Sequence, residues 1–340
     1  MRMTDRRDEP VSRLSGKREE QPCEHSGTEG FIGVHVDLSS VGLTSWRSAA
    51  ERSSVSSIGL LCRAAMKVAH HSMAPPSLSW QIRLSVFVDE PRCTTVRAFL
   101  VRVGIDQAFG GWNSPVDPRT NEFVYVPIPE LRPMRPNLVT PYSLVRPALA
   151  RFADAHTRAQ LRHVQLPSEL HSANMHLDPD FDHLTYGDNG VRRGKGLADL
   201  DRGDVVVFYA GLRPVALCEH RLVYALVGFY RVSEVIRLEA AAEPQWSQNA
   251  HTRCVDHAAK DIIVRAEPGH SGRLRRCIPV GEFRDGAYRV TPGILADWGG
   301  LSCRDGYLQR SAVPPSLLDT RHFMNWFERQ DNDLVVANNP

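Results

Sequence analysis

The chain has 340 residues, and 41 Lys plus Arg against 39 Asp plus Glu leave a formal net charge of +2. That balance excludes a histone-like polycation and an acidic solvating tail, while a local basic groove stays open because a total averages over the whole surface. The length suggests about two units, and the longest apolar stretches, residues 205–212 and 222–230, fall far below the roughly 20 residues of a membrane helix.

Cys23, Cys62, Cys93, Cys218, Cys254, Cys277 and Cys303 are odd in number, and no two stand in a CxxC spacing. That speaks against a disulfide framework and a zinc ribbon, and for free thiols in a reducing cytoplasm. The first twenty residues are charged throughout and lack the apolar run of a secretory signal.

Fifteen of the 25 serines fall within residues 1–95, together with charge clusters and the Pro75-Pro76 break. Such a segment buries too little surface to offset its ordering entropy and is expected to be disordered. Residues 80–88 alternate apolar side chains and could pair as a strand.

From Val96 the texture changes. Strands are expected over residues 97–103, 123–128, 204–210, 222–232, 261–265 and 287–290. Helices are expected over 143–155, despite Pro147, and over 317–330, where Leu317, Phe323, Met324, Trp326 and Phe327 cover one broad face. Strands interrupted by a few helices and long loops predict an α+β domain over 96–340 with mixed or mostly antiparallel sheet.

The block from Arg97 to Asp106, the Gly110-Gly111 pair, and the blocks 123–130, 176–188, 203–214, 224–230 and 249–251 resemble the third type of nucleotide modification associated domain. The resemblance covers about residues 96–315. It implies a bacterial or phage protein acting in hypermodification of nucleotides or DNA bases, with nucleotide or DNA as partner and other base-modification enzymes nearby; the short apolar stretches separately argue against a membrane. Members commonly begin near the first strand. Val96 can be encoded by a GTG start codon, so residues 1–95 are either a disordered extension or reading frame upstream of the true start.

The densest polar cluster runs from His171 to Asp188. Asp178, Asp180 and Asp182 alternate as in a calcium loop, but His183 and Asn189 stand where an EF-hand needs Gly and Glu. A His-x-Asp pair, His176 and Asp178, completed by a distant histidine such as His251, follows the facial-triad pattern of iron oxygenases. Two-residue motifs are common by chance, and no double-stranded barrel pattern is visible. Metal-free acid–base work by the same groups is the other chemical reading. A turn around Pro179 is the structural one.

Gly187, Gly190, Gly194 and Gly196 surround Arg192, Arg193 and Lys195, a composition suited to phosphate. It is not a Walker A loop, because Asn189 and Gly196 occupy its required positions. Asp106 ends the first strand beside a glycine turn, and Trp112 follows, able to stack on a base. Residues 203–228 resemble part of a PUA-like base-binding barrel, which would make Tyr209 a base platform and Arg213 its phosphate partner. Arg273 and Arg275 alternate, as on a strand edge facing phosphates or solvent.

These residues predict an enzyme of nucleotide or DNA base hypermodification. Asp106, His176, Asp178 and Asp188 would be reactive. Trp112, Arg193, Lys195, Tyr209, Arg213, His251, Arg253 and Arg273 would bind substrate. The alternative is a non-catalytic reader of modified bases. No motif names a cofactor or a metal.

Overall fold

The β-branched and aromatic runs that the sequence places after residue 203 form the centre of the main sheet. In the computed structural model the described residues are 95–106, 111–156, 161–191, 195–219, 221–256, 258, 260–309, 313–330 and 333–340. The expected disordered extension, the candidate strand at 80–88, Gly110 and Arg193 lie outside them.

The strands are β1 (Ala98–Arg102), β2 (Pro115–Val116), β3 (Ile128–Pro129), β4 (Met175–His176), β5 (Thr185–Asp188) and β6 (Val205–Pro214). They continue with β7 (Val223–Arg237), β8 (Ile262–Ala266), β9 (Gly272–Arg284), β10 (Ala287–Val290) and β11 (Leu334–Val335). The main sheet follows the path β1-β6-β7-β8-β5, with β2 beside β6 and with β9 joining β7 to β10 and β11. Only β1 and β2 run parallel to β6; the other pairs are antiparallel. The 15-residue β7 organises it: residues 223–231 lie against β6, and residues 232–237 extend on to pair β8. This is an α+β fold with few helices, and its described strands do not close into a barrel.

Both faces of the sheet are covered, which is why β6 reads as a continuous apolar run. Val206, Phe208 and Ala210 point into one core with Phe181, Tyr186 and Tyr230. Val205, Val207 and Tyr209 point into the other, with Tyr224, Trp298, Phe323 and Trp326.

The helices are α1 (Arg146–Ala155), α2 (Leu161–Val164), α3 (Lys195–Ala198), α4 (Ala250–Arg253), α5 (Pro292–Asp297) and α6 (Thr320–Glu328). Pro147 sits in the first turn of α1, where a missing N–H has no helical partner to lose. Asp319 caps α6 by accepting from the His322 N–H at 3.0 Å. Among the described residues no helix is long and apolar enough to cross a membrane.

Two expectations need correction. Of residues 123–128, only Ile128 enters a ladder strand; Phe123 makes an isolated bridge to Val116, and Pro127 and Pro129 lack the N–H a ladder needs. The thirteen-residue β9 has no clear signature because Pro279, Gly281 and irregular pairing with β7 break the alternation. Arg273 and Arg275 therefore do not share an edge: Arg273 is buried and Arg275 is exposed.

Candidate active site

Four separate pieces of chain converge on Asp178. β4 supplies His176 and leads into the Asp178–Pro179 turn. β5 returns alongside it with Gly187 and Asp188. α4 brings His251, and the residue preceding β8 is Asp261.

Asn249 locks these pieces together. Its side-chain oxygen accepts from the His251 N–H at 2.9 Å as the cap of α4, and its Nδ2 donates to Asp178 Oδ1 at 2.9 Å. The Gly187 N–H donates to the same Oδ1 at 2.8 Å. Asp178 Oδ2 makes neither bond and faces the Nε2 atoms of His176 and His251, each at 3.9 Å. The two imidazoles meet edge to face with centroids 5.1 Å apart.

Each imidazole is held from behind by a carboxylate. His176 Nδ1 lies 2.6 Å from Glu130 Oε2, and His251 Nδ1 lies 3.3 Å from Asp261 Oδ2. A carboxylate only accepts, so it keeps the proton on Nδ1 and leaves the lone pair on Nε2. Arg132 passes 3.3 Å from His176 Nδ1 but is a donor only, and it pairs with Glu130 at 3.1 Å.

The carboxyl groups divide by surroundings. Burial raises Asp178, an effect that His251, His176 and its hydrogen bonds only partly offset. Burial also raises Asp188, and the charge of Asp178 adds to it. Burial alone would raise Glu130 as well, but hydrogen bonds from His176 and Arg132 hold it well below the usual carboxylate range. Asp261 is likewise lowered against burial by His251. One site thus holds two carboxyl groups favoured toward protonation and two held ionised.

A cavity of about 150 Å³ adjoins His251, lined by Arg135, Trp246, Thr252 and Cys254 among others. The Arg135 guanidinium stacks 3.8 Å over the Trp246 ring. Burial, first, and the nearby Glu130 charge push the Cys254 thiol up to about 12, so it is not a nucleophile at neutral pH.

Residues 97–300 match the family described as nucleotide modification associated domain 3. The chain belongs to that family. Neither the curated proteins nor the solved structures contain a match.

Of the residues singled out in the sequence of this nucleotide modification associated domain, His176, Asp178 and Asp188 from the reactive set and His251 from the substrate-binding set come together. Asp106 lies elsewhere: it pairs with Arg102 at 2.7 Å and sits near Tyr224, a residue of the opposite core face whose hydroxyl is raised by burial first and by the charge of Asp106 in lesser part. Tyr209 is enclosed, its hydroxyl donating to the Leu308 carbonyl at 2.9 Å, and offers no platform to a base. Arg253 is buried against Asp180 at 2.5 Å and the Ser247 carbonyl. Arg273 is buried over the Phe123 ring, donates to the Phe123 carbonyl at 2.6 Å and is lowered to about 10 by burial. These three brace the fold.

Trp112 packs against the core around α1. Arg213 continues β6 where it pairs β2, and Lys195 opens α3. The glycine loop serves Asp188, whose Oδ1 accepts from the Gly190 N–H at 3.0 Å. Glu130, Arg135 and Trp246 carry no spacing signal in the sequence, because each acts through a partner more than 40 residues away, and Asp261 lies ten residues from His251 with no motif joining them. Asn249 shows one local sign, a capping residue two positions before His251.

Proposed function

We propose that this chain is an enzyme that modifies a base in DNA, or the nucleotide precursor of one, with His176, Asp178, Asp188 and His251 as its reacting groups. Family membership supports the nucleotide part of this reading. The chemical part is carried by one observation: two imidazole Nε2 atoms and Asp178 Oδ2 face one point, each imidazole backed by an ionised carboxylate.

Such a set can take a proton from a substrate at one group and return it at another, work that contributes typically 10²–10⁴-fold to a rate. Asp178 and Asp188, raised by burial, are suited to donate a proton, and the Nε2 atoms of His176 and His251 lie close enough to Asp178 to exchange one. The cavity beside His251 would take the base, with the Arg135–Trp246 stack as an aromatic and cationic wall. Arg193, Lys195, Arg213 and Trp112 would contact the rest of the nucleotide.

Nucleoside mass spectrometry tests this on DNA from the source strain, a deletion strain, and the deletion complemented by Asp178→Asn. A modified nucleoside that vanishes or stalls at an intermediate mass in both mutants supports the enzyme and names its substrate. One that persists unchanged in the deletion strain overturns it and favours a non-catalytic reader.

A further inference from the structure

We propose that His176 Nε2, His251 Nε2 and Asp178 Oδ2 bind one divalent transition-metal ion, with Glu130 and Asp261 as the carboxylates that orient the two imidazoles. This rests on the site described above and names the cofactor class that would act there; with an ion bound at these three atoms they no longer exchange protons, and proton transfer falls to Asp188.

Three features of the geometry carry it. First, a purely structural His–Asp–His cluster would close to hydrogen bonds of roughly 2.7–3.2 Å. Here Asp178 Oδ2 stands 3.9 Å from both Nε2 atoms, while its other oxygen is already anchored by Gly187 and Asn249. A gap bounded by two imidazole nitrogens and a carboxyl oxygen is the shape of a cation site.

Second, the size fits. An ion bonded at roughly 2.0–2.2 Å to N and O ligands needs neighbouring ligand atoms about 3.0–3.6 Å apart. The three ligand atoms lie within 4.8 Å of one another, so inward movements of about an ångström bring all three within bonding distance of one ion.

Third, metal-bound imidazoles characteristically donate the other ring N–H to a carboxylate, and both do so here. Two carboxylates more than 100 residues apart, Glu130 and Asp261, play the same part for two histidines from different elements. A turn held for packing alone does not require that repetition.

The donor set narrows the ion. Two imidazoles and one carboxylate suit Zn²⁺ or Fe²⁺ rather than Mg²⁺ or Ca²⁺, which prefer all-oxygen shells. Three protein ligands leave positions open, as in catalytic rather than structural sites.

The test is metal binding by the full chain, purified metal-free, to Zn²⁺ alone and anaerobically to Fe²⁺ alone, with Mg²⁺ as control. One ion per chain is expected, with affinity falling at least 100-fold in His251→Ala and in Asp178→Asn. Glu130→Gln and Asp261→Asn keep every ligand and should cost 10–100-fold. They should also shift the visible bands of the Co²⁺-loaded protein, which a merely structural role would leave in place. Circular dichroism confirms that each variant is folded.

Absent stoichiometric binding by the folded wild type, or equal binding by wild type and His251→Ala, overturns the proposal. Failure here is separable from failure of the enzymatic reading. Loss of the modified nucleoside in Asp178→Asn without any metal binding would leave acid–base chemistry standing. Metal binding with an unchanged nucleoside profile would leave the metal centre and remove the modification role.

Discussion

Gly187 stands between two reacting groups in space and beside a third in sequence. A Cβ built on it would lie 2.4 Å from His251 Cδ2 and 2.6 Å from Asn249 Oδ1, closer than packed atoms tolerate. The hydrogen at this position is therefore what lets α4 press its histidine against β5. Gly187→Ala is expected to push His251 and Asn249 away from Asp178, costing roughly 1–3 kcal/mol of overpacking strain. Activity should fall far more than stability does. Thermal denaturation and nucleoside analysis of the same variant check this, and full activity in Gly187→Ala would show that the close approach is dispensable. The sequence marks Gly187 as one of several loop glycines; only the neighbour packed over it explains why it cannot be alanine.

Between elements, a second buried carboxylate does work unrelated to the site. Asp117, at the end of β2, is fully buried and accepts from the Arg119 backbone and side chain at 2.9 and 2.7 Å. It also meets His156, the residue that ends α1, at 2.8 Å. The Arg119 hydrogen bond holds its carboxyl below the usual range, outweighing the opposing effect of burial. A carboxyl lowered on folding contributes stability that is present above its unfolded pKa of about 3.9 and is lost as pH falls through the folded value. Asp117→Asn should thus cost roughly 1.5–3 kcal/mol at pH 7, the value of a buried hydrogen bond to a charged group. The difference from wild type should persist down to about pH 4 and shrink below it. Urea denaturation from pH 3 to 7 measures it, and a constant difference across that range would remove the charge from the explanation. Helix α1 was expected from the sequence, but the two-residue β2 was not, nor was its link to the end of α1, which joins positions 39 residues apart.

At the scale of the molecule, the end of the chain reaches back to the site. Asn338 donates its N–H to Asp182 at 2.9 Å and its Nδ2 to Asp180 at 3.0 Å, and it accepts from the Phe181 N–H at 2.8 Å. Asn339 brackets Tyr125, accepting from its N–H at 2.9 Å and donating to its carbonyl at 2.8 Å. The segment that follows Asp178 is therefore clamped by residues beyond the 97–300 stretch that matches the family. Deleting residues 337–340 should destabilise the protein by on the order of 3 kcal/mol, given roughly 0.5–1.5 kcal/mol per hydrogen bond and the ordering entropy regained. It should also reduce turnover, because the Asp180–Asp182 turn would no longer hold Asp178 in place. Calorimetry and nucleoside analysis of the truncated chain check both, and unchanged values would show that the clamp is passive.

Local patterning in the sequence determined the α+β class and the positions of β1, β6, β7, β8, β10, α1 and α6. The resemblance of several residue blocks pointed to the family, and the sequence alone singled out His176, Asp178 and Asp188, which the fold brings together. Period-two apolar runs, a helix-spaced aromatic face and a His/Asp cluster are all written in neighbours along the chain. What required the tertiary structure was which charges meet. Buried arginines at 253 and 273 look like phosphate binders until their carboxylate and carbonyl partners are seen. Glu130 and Asp261 look like ordinary strand-end acids until each is found behind an imidazole. A charged side chain has the same local signature whether it braces the fold or faces a substrate, and only the residue opposite it, brought close by the long-range pairing of β7 and its neighbours, decides between them.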